Sequence, residues 1–122
     1  MTNNKLFVSV DMDEWFIARW ATGSELALWK DLPSLYQEVY KSELPPKNLK
    51  APTELITALF DELGFKSTFF FTAFVAKRYP EIVKQLADAG HEIACHNFYH
   101  LDYEHQPRKK FKRDLIESKK LL

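Results

Sequence analysis

The residues best equipped for chemistry are two histidines and two aspartates that lie far apart in a chain of 122 residues. His96-Asn-Phe-Tyr-His100 sets two imidazoles four positions apart, on one side of a helical turn, where both can hold a single ion. Asp11 and Asp13 follow the apolar run Leu6-Phe-Val-Ser-Val10. Side chains alternate along an extended chain, so Phe7, Ser9, Asp11 and Asp13 share one face, opposite Leu6, Val8 and Val10. Two carboxylates side by side repel each other unless a cation lies near them. One carboxylate and two imidazoles form an oxygen/nitrogen set that suits Zn²⁺, Co²⁺, Ni²⁺ or Fe²⁺ and leaves coordination positions open for water. The second carboxylate is then free to act as a base. Plainer roles exist for each part. With four histidines in the chain, such spacing arises by chance, and acids after a strand often cap a helix or stay solvated.

Position decides between these readings, and the elements set position. Leu6 to Val10 is short, β-branched and aromatic, which predicts a buried strand ending in the acids. Residues 14 to about 50 carry Trp15, Trp20 and Trp29 among charges, with Pro33, Pro45 and Pro46 as breakers, and read as a long insertion with one or two short helices. Leu55, Ile56, Leu59, Phe60 and Leu63 then recur at helical spacing between Pro52 and Gly64, which suit a first turn and a left-handed stop. Residues 65–71 predict a second strand, 74–79 and 81–89 two helices broken at Pro80 and closed by Gly90, and 91–96 a third strand. A last helix opens at Pro107, apolar at Phe111, Leu115, Ile116 and Leu122.

Strands alternating with helices are the signature of an α/β fold with a parallel sheet. In such a sheet the carboxyl ends of the strands share one face, where sites form, so Asp11 and Asp13 are expected to meet His96 and His100 there. A complete (β/α) barrel takes roughly 200 to 250 residues. The expected architecture is thus a partial barrel, its amino-terminal half, in a chain that stops inside a helical pattern with no Gly, Asn or Pro to end it.

Composition narrows the functions open to such a unit. Hydrophobic residues make up 46% of the chain with only three Gly and six Pro, which excludes a disordered or collagen-like polymer. Seventeen basic and seventeen acidic residues cancel, so nothing global favours nucleic acid or an anionic membrane. Single Cys95 excludes an internal disulfide, and no stretch reads as a signal peptide or membrane span, which makes a cytoplasmic location the expectation. His91 and His105 read as a strand-start and a loop residue rather than ligands. Cys95 alternates with Ile93 and is expected to be a small buried hydrophobe. Arg108 to Arg113 reads as the solvated face of a helix, with an anionic contact as the alternative because cations are disfavoured at a helix start. Trp15 and Phe16 could stack on a sugar ring or pack in the core.

Four blocks together carry a resemblance: Phe7-Val-Ser-Val-Asp-Met-Asp-Glu-Trp-Phe16, Lys66-Ser-Thr-Phe-Phe-Phe71, Tyr79-Pro-Glu-Ile-Val-Lys84 and Gly90-His-Glu-Ile-Ala-Cys-His-Asn-Phe-Tyr-His100. Their order and spacing are similar to those of the polysaccharide deacetylases of the NodB-homology type (carbohydrate esterase family 4). That resemblance implies an irregular (β/α) barrel and metal-dependent hydrolysis of an N-acetyl amide on a sugar. By resemblance Asp11 takes the place of the general base, and Asp13, His96 and His100 those of the metal ligands, with Zn²⁺ the first choice and Co²⁺ or Ni²⁺ alternatives. Many members have two adjacent Asp, whereas Met12 separates them here, so a register using Asp13 and Glu14 is the alternative; side-chain alternation favours Asp11 and Asp13. Asn97 stands where Ser or Thr is usual. Later family motifs, with an orienting arginine, groove-lining residues and a histidine general acid, have no room before Leu122.

The expected activity is therefore removal of acetyl, or another small acyl group, from an N-acylated glycan or glycan precursor. Residues 1–122 alone are expected to be inactive and to self-associate through uncovered sheet edges. The alternative is a non-catalytic module, a half barrel that binds metal or carbohydrate and is completed by another polypeptide.

Overall fold

The computed structural model describes residues 5–15, 37, 41, 46–100, 104 and 106–122. The short helices expected between residues 14 and 50, together with Phe16, Trp20, Trp29 and His105, lie outside the described residues.

Three strands form one parallel sheet in the order β1-β2-β3: β1 is Ser9–Met12, β2 is Thr68–Phe71 and β3 is Glu92–Cys95. Helix α1 (Lys50–Glu62) joins the first two strands, α2 (Ala73–Arg78) and α3 (Pro80–Asp88) join the second pair, and α4 (Arg108–Leu121) follows. The chain is an α/β unit that forms part of a (β/α) barrel.

Register fixes which side chains share a face. Val10 lies beside Phe69 and Phe69 beside Ile93, and likewise Met12 beside Phe71 and Phe71 beside Cys95. This is the face the helices cover: Met12, Phe69 and Phe71 join Phe60 of α1, Val75 and Ala76 of α2, and Ile82, Val83 and Leu86 of α3 in one buried cluster. On the other face stand Ser9, Asp11, Thr68, Phe70, Glu92 and Ala94, all exposed or half-buried.

Two helix ends are closed by glycine in the same way. Gly64 (φ 71°) and Gly90 (φ 85°) adopt the left-handed conformation, Gly64 N–H donating to Asp61 O and Gly90 N–H to Ala87 O. The residue after each bonds further back, Phe65 to Phe60 O and His91 to Leu86 O. Both turns lead straight into the next strand. The break between α2 and α3 is also sharp: Tyr79 is non-helical and Pro80 opens α3.

The structure corrects several expectations. The first strand begins at Ser9, not Leu6, and Leu6 and Phe7 are exposed. Pairing with β2 sets this limit, since its first backbone bond joins Thr68 N–H to Val8 O and, among the described residues, none pairs with Leu6 or Phe7. In α1, Leu55, Leu59 and Leu63 are exposed; Thr53, Thr57 and Phe60 face inward instead. The threonine hydroxyls bond to Leu49 O and Thr53 O within the helix, so their methyl groups enter the core without an unpaired polar atom. Similarly, α4 buries Asp114 and Ser118 while Leu115 and Ile116 are exposed. Ser118 donates to Asp114 O, and Lys110 pairs with the Asp114 carboxylate. Cys95 is exposed rather than buried: it ends β3, which lies at the edge of the sheet among the described residues.

Candidate metal centre

The carboxyl ends of β1 and β3 bring Asp13, His96 and His100 together. Asp13 is the first residue past β1, and His96 the first past β3, where its backbone N–H donates to Phe71 O of β2 at 2.7 Å. Asp13 Oδ2 lies 3.6 Å from Nε2 of His96 and 3.6 Å from Nε2 of His100. The two imidazole rings stand edge to face with centroids 4.9 Å apart.

The histidine loop is held in an unusual backbone shape. Asn97 (φ 65°) and His100 (φ 60°) are both left-handed, a region where Asn and His are tolerated better than most side chains but β-branched ones are not. The Asn97 side chain accepts the Phe98 N–H at 2.7 Å. The carbonyls of Asn97 and Phe98 in turn accept the Ala73 and Phe74 N–H groups at the start of α2, at 3.0 Å each. Thr72 caps the same helix, its hydroxyl accepting the Val75 N–H at 3.3 Å. The loop and the helix thus satisfy each other's free backbone groups.

On the β1 side, Glu14 is fully buried. It accepts the Tyr79 hydroxyl at 2.5 Å and forms an ion pair with Arg78 Nε at 3.2 Å. Glu14 points away from the histidines, so the register that used Asp13 and Glu14 as the site pair does not match the geometry. Burial raises the Glu14 carboxyl above its usual range, with the Tyr79 hydrogen bond and Arg78 opposing. Burial also raises Asp13, against the opposite pull of His100 and His96, while the nearby charge of Asp11 adds to the rise. Asp11 itself is exposed on the barrel-lining face. It borders a cleft of about 160 Å³ with Val10, Asp13, Leu49, Pro52 and Ile56. A larger hollow of about 550 Å³ lies on the outer face of α1, around Leu55 and Leu59, away from the histidines.

Two observations fit a cation to this donor set. Asp13 Oδ1 is buried with no hydrogen-bond partner among the described residues, which is costly for a carboxylate unless something positive satisfies it. The 3.6 Å separations exceed a hydrogen bond but are close to the edge of about 3.3 Å that a tetrahedron of 2.0–2.1 Å bonds requires. One oxygen and two nitrogens within 4.8 Å of one another form the one such group of acids, histidines and cysteines among the described residues.

Comparison with known proteins identifies the family. A sequence profile described as polysaccharide deacetylase matches residues 45–122, which include both histidines and begin after Asp11 and Asp13. The chain belongs to the polysaccharide deacetylase family. Within known proteins, a peptidoglycan-N-acetylglucosamine deacetylase of Bacillus cereus is 32% identical over 68 residues, covering 56% of this chain and 32% of its own length. The chain thus spans about a third of the curated relative it matches. A crystal structure of Puue allantoinase superposes with a TM-score of 0.61 at 18% identity, over 93% of this chain and 40% of that one, which shows a shared fold.

Sequence reasoning did not find the roles of Thr72, Glu14 and Tyr79. Thr72 carried a usable signal, a threonine directly before a helical segment. Glu14 and Tyr79 carried none, because 65 positions separate them and neither residue type implies the other.

Proposed function

We propose that the complete protein is a metal-dependent hydrolase that removes the acetyl, or another small acyl group, from the nitrogen of a sugar in a polysaccharide or glycan precursor. The observation that supports it most directly is the Asp13, His96 and His100 triangle with its unpartnered Asp13 oxygen, set at the strand ends of a polysaccharide deacetylase fold. In this reading those three side chains hold one divalent cation, Zn²⁺ first. Such an ion polarises the amide carbonyl and lowers the pKa of water toward about 7. Asp11 stands on the same face with its carboxylate open to solvent, where it can take the proton from an attacking water. Asp13 keeps its charge directed at the two imidazoles, and the docked histidine loop keeps both Nε2 atoms turned toward it. The sugar would approach at the carboxyl ends of the strands, where Asp13, His96 and His100 meet.

Calorimetric titration of Zn²⁺ into metal-free protein, paired with acetate release from an N-acetylated chito-oligosaccharide by the complete polypeptide, tests this reading. One site per chain is expected, lost in a His96→Ala/His100→Ala double variant. Asp11→Asn should keep the metal and lose most acetate release, whereas Asp13→Ala should weaken the metal itself. Unchanged Zn²⁺ binding in the double variant refutes the ligand set. Metal binding without any acetate release favours a non-catalytic carbohydrate-binding module instead.

A further inference from the structure

We infer that Glu14, through its buried contacts with Tyr79 and Arg78, is a positioning residue that fixes Asp13 relative to the two histidines. The inference rests on the reading of Asp13, His96 and His100 as metal ligands, and goes beyond it by assigning a function to the carboxylate next to them.

Glu14 is 0% exposed, as is Tyr79. A buried carboxylate is expensive unless its partners are well placed, and its side chain has little freedom to move once they are. Here Oε1 takes both partners, the Tyr79 hydroxyl at 2.5 Å and the Arg78 Nε ion pair at 3.2 Å, while Oε2 is buried with no hydrogen-bond partner among the described residues. Tyr79 also accepts the Asn48 backbone N–H at 3.1 Å, so one phenol ties the exit of β1 to the entry of α1. Arg78 and Tyr79 are the last residue of α2 and the residue that caps it. The other end of that helix receives the histidine loop through Asn97 O and Phe98 O.

α2 is therefore a strut of six residues, about 9 Å long, with one half of the ligand set fastened at each end. At its start it grips the loop that carries His96 and His100. At its finish it grips the residue covalently joined to Asp13. Because Asp13 and Glu14 are adjacent and point to opposite sides, anchoring the Glu14 side chain restrains the peptide between them and so the backbone from which the Asp13 carboxylate reaches the histidines. Outer contacts of this kind commonly change metal affinity 10- to 100-fold without touching the metal.

The test uses Zn²⁺ affinity by chelator competition and the visible absorption of the Co²⁺-loaded protein, with urea stability measured on the metal-free form. Glu14→Ala is expected to weaken Zn²⁺ about 10- to 100-fold and to shift the Co²⁺ bands. Glu14→Gln still accepts the Tyr79 hydroxyl and is expected to recover most of that loss. Tyr79→Phe, which removes only the hydroxyl, decides the matter should Glu14→Ala fail to fold; an approximately tenfold loss is expected. Phe60→Leu, near His91 at the far end of the strands, supplies a variant that loses stability alone and is expected to keep wild-type affinity and spectrum. Wild-type Zn²⁺ affinity and Co²⁺ bands in Tyr79→Phe, or an equal loss in Phe60→Leu, overturns the inference. Absence of Zn²⁺ binding by the wild-type protein is a different outcome: it refutes the ligand reading, and this inference with it.

Discussion

His91 should make the protein sensitive to mild acid at the end of the sheet opposite the Asp13, His96 and His100 cluster. It is 5% exposed, sits directly before β3, and packs its ring edge against Phe69 with centroids 5.0 Å apart. Its Nδ1 accepts the Ser67 N–H at 3.2 Å, so the neutral ring carries its proton on Nε2, which is buried with no partner among the described residues. Charging the ring would place a second donor opposite the Ser67 N–H and strand a cation among phenylalanines. Burial accordingly holds His91 below its ordinary 6.5, Lys66 pushes the same way, and Asp61 opposes. The sign follows from linkage. Above about pH 7.5 neither state binds the proton and His91 contributes nothing; below 6.5 the unfolded chain takes a proton that the folded one declines, and stability falls. One group can cost at most about 1.4 kcal/mol between roughly pH 7.5 and 5.5. His91→Asn keeps an acceptor, Oδ1, where Nδ1 was, but cannot be charged. The raised carboxyls of Asp13 and Glu14 act in the opposite direction and cancel in the comparison, since both proteins contain them. Urea unfolding followed by tryptophan fluorescence at the two pH values should show the wild type losing up to that amount more than His91→Asn. Equal losses in both proteins refute the argument.

Removing the Thr72 hydroxyl with Thr72→Ala should cost about 1 kcal/mol, the usual value of a helix cap, and speed hydrogen exchange at Ala73 and Phe74, whose amides hold the histidine loop. Phe69, fully buried at the centre of the sheet, should cost about 3–5 kcal/mol when replaced by Ala, read as a shift in the urea midpoint. The exposed Cys95 thiol should react with Ellman's reagent in the native protein at a rate little changed by urea; a requirement for denaturant would contradict its exposure.

The parts of the structure legible in the sequence were those governed by local chemistry. Gly64 and Gly90 marked two helix ends because only a residue free to take positive φ closes them so tightly. Pro80 marked the break between α2 and α3 for the complementary reason. Asp13, His96 and His100 were legible as a group because parallel strands deliver their carboxyl ends to one face, wherever they lie in the chain. What was not legible depended on neighbours. Leu6 and Phe7 look like strand, yet β2 offers them no partner. Leu55, Leu59 and Leu63 form one stripe of α1 and Thr53, Thr57 and Phe60 the next, and periodicity alone cannot say which meets the sheet. Hydrophobicity favours the leucines; the structure turns Thr53, Thr57 and Phe60 inward.

The order of the strands in space, β1-β2-β3, repeats their order in the chain, and this gives the site a history. Each strand can settle beside the one synthesised before it, without waiting for a distant partner. Asp13 leaves the ribosome roughly 80 residues ahead of His96, an interval of about 4–16 seconds at 5–20 residues per second. During that time the aspartate has no imidazoles to face. The triangle exists only after β3 has docked and the histidine loop has engaged α2, so an ion bound there would stabilise strands already paired rather than guide their pairing.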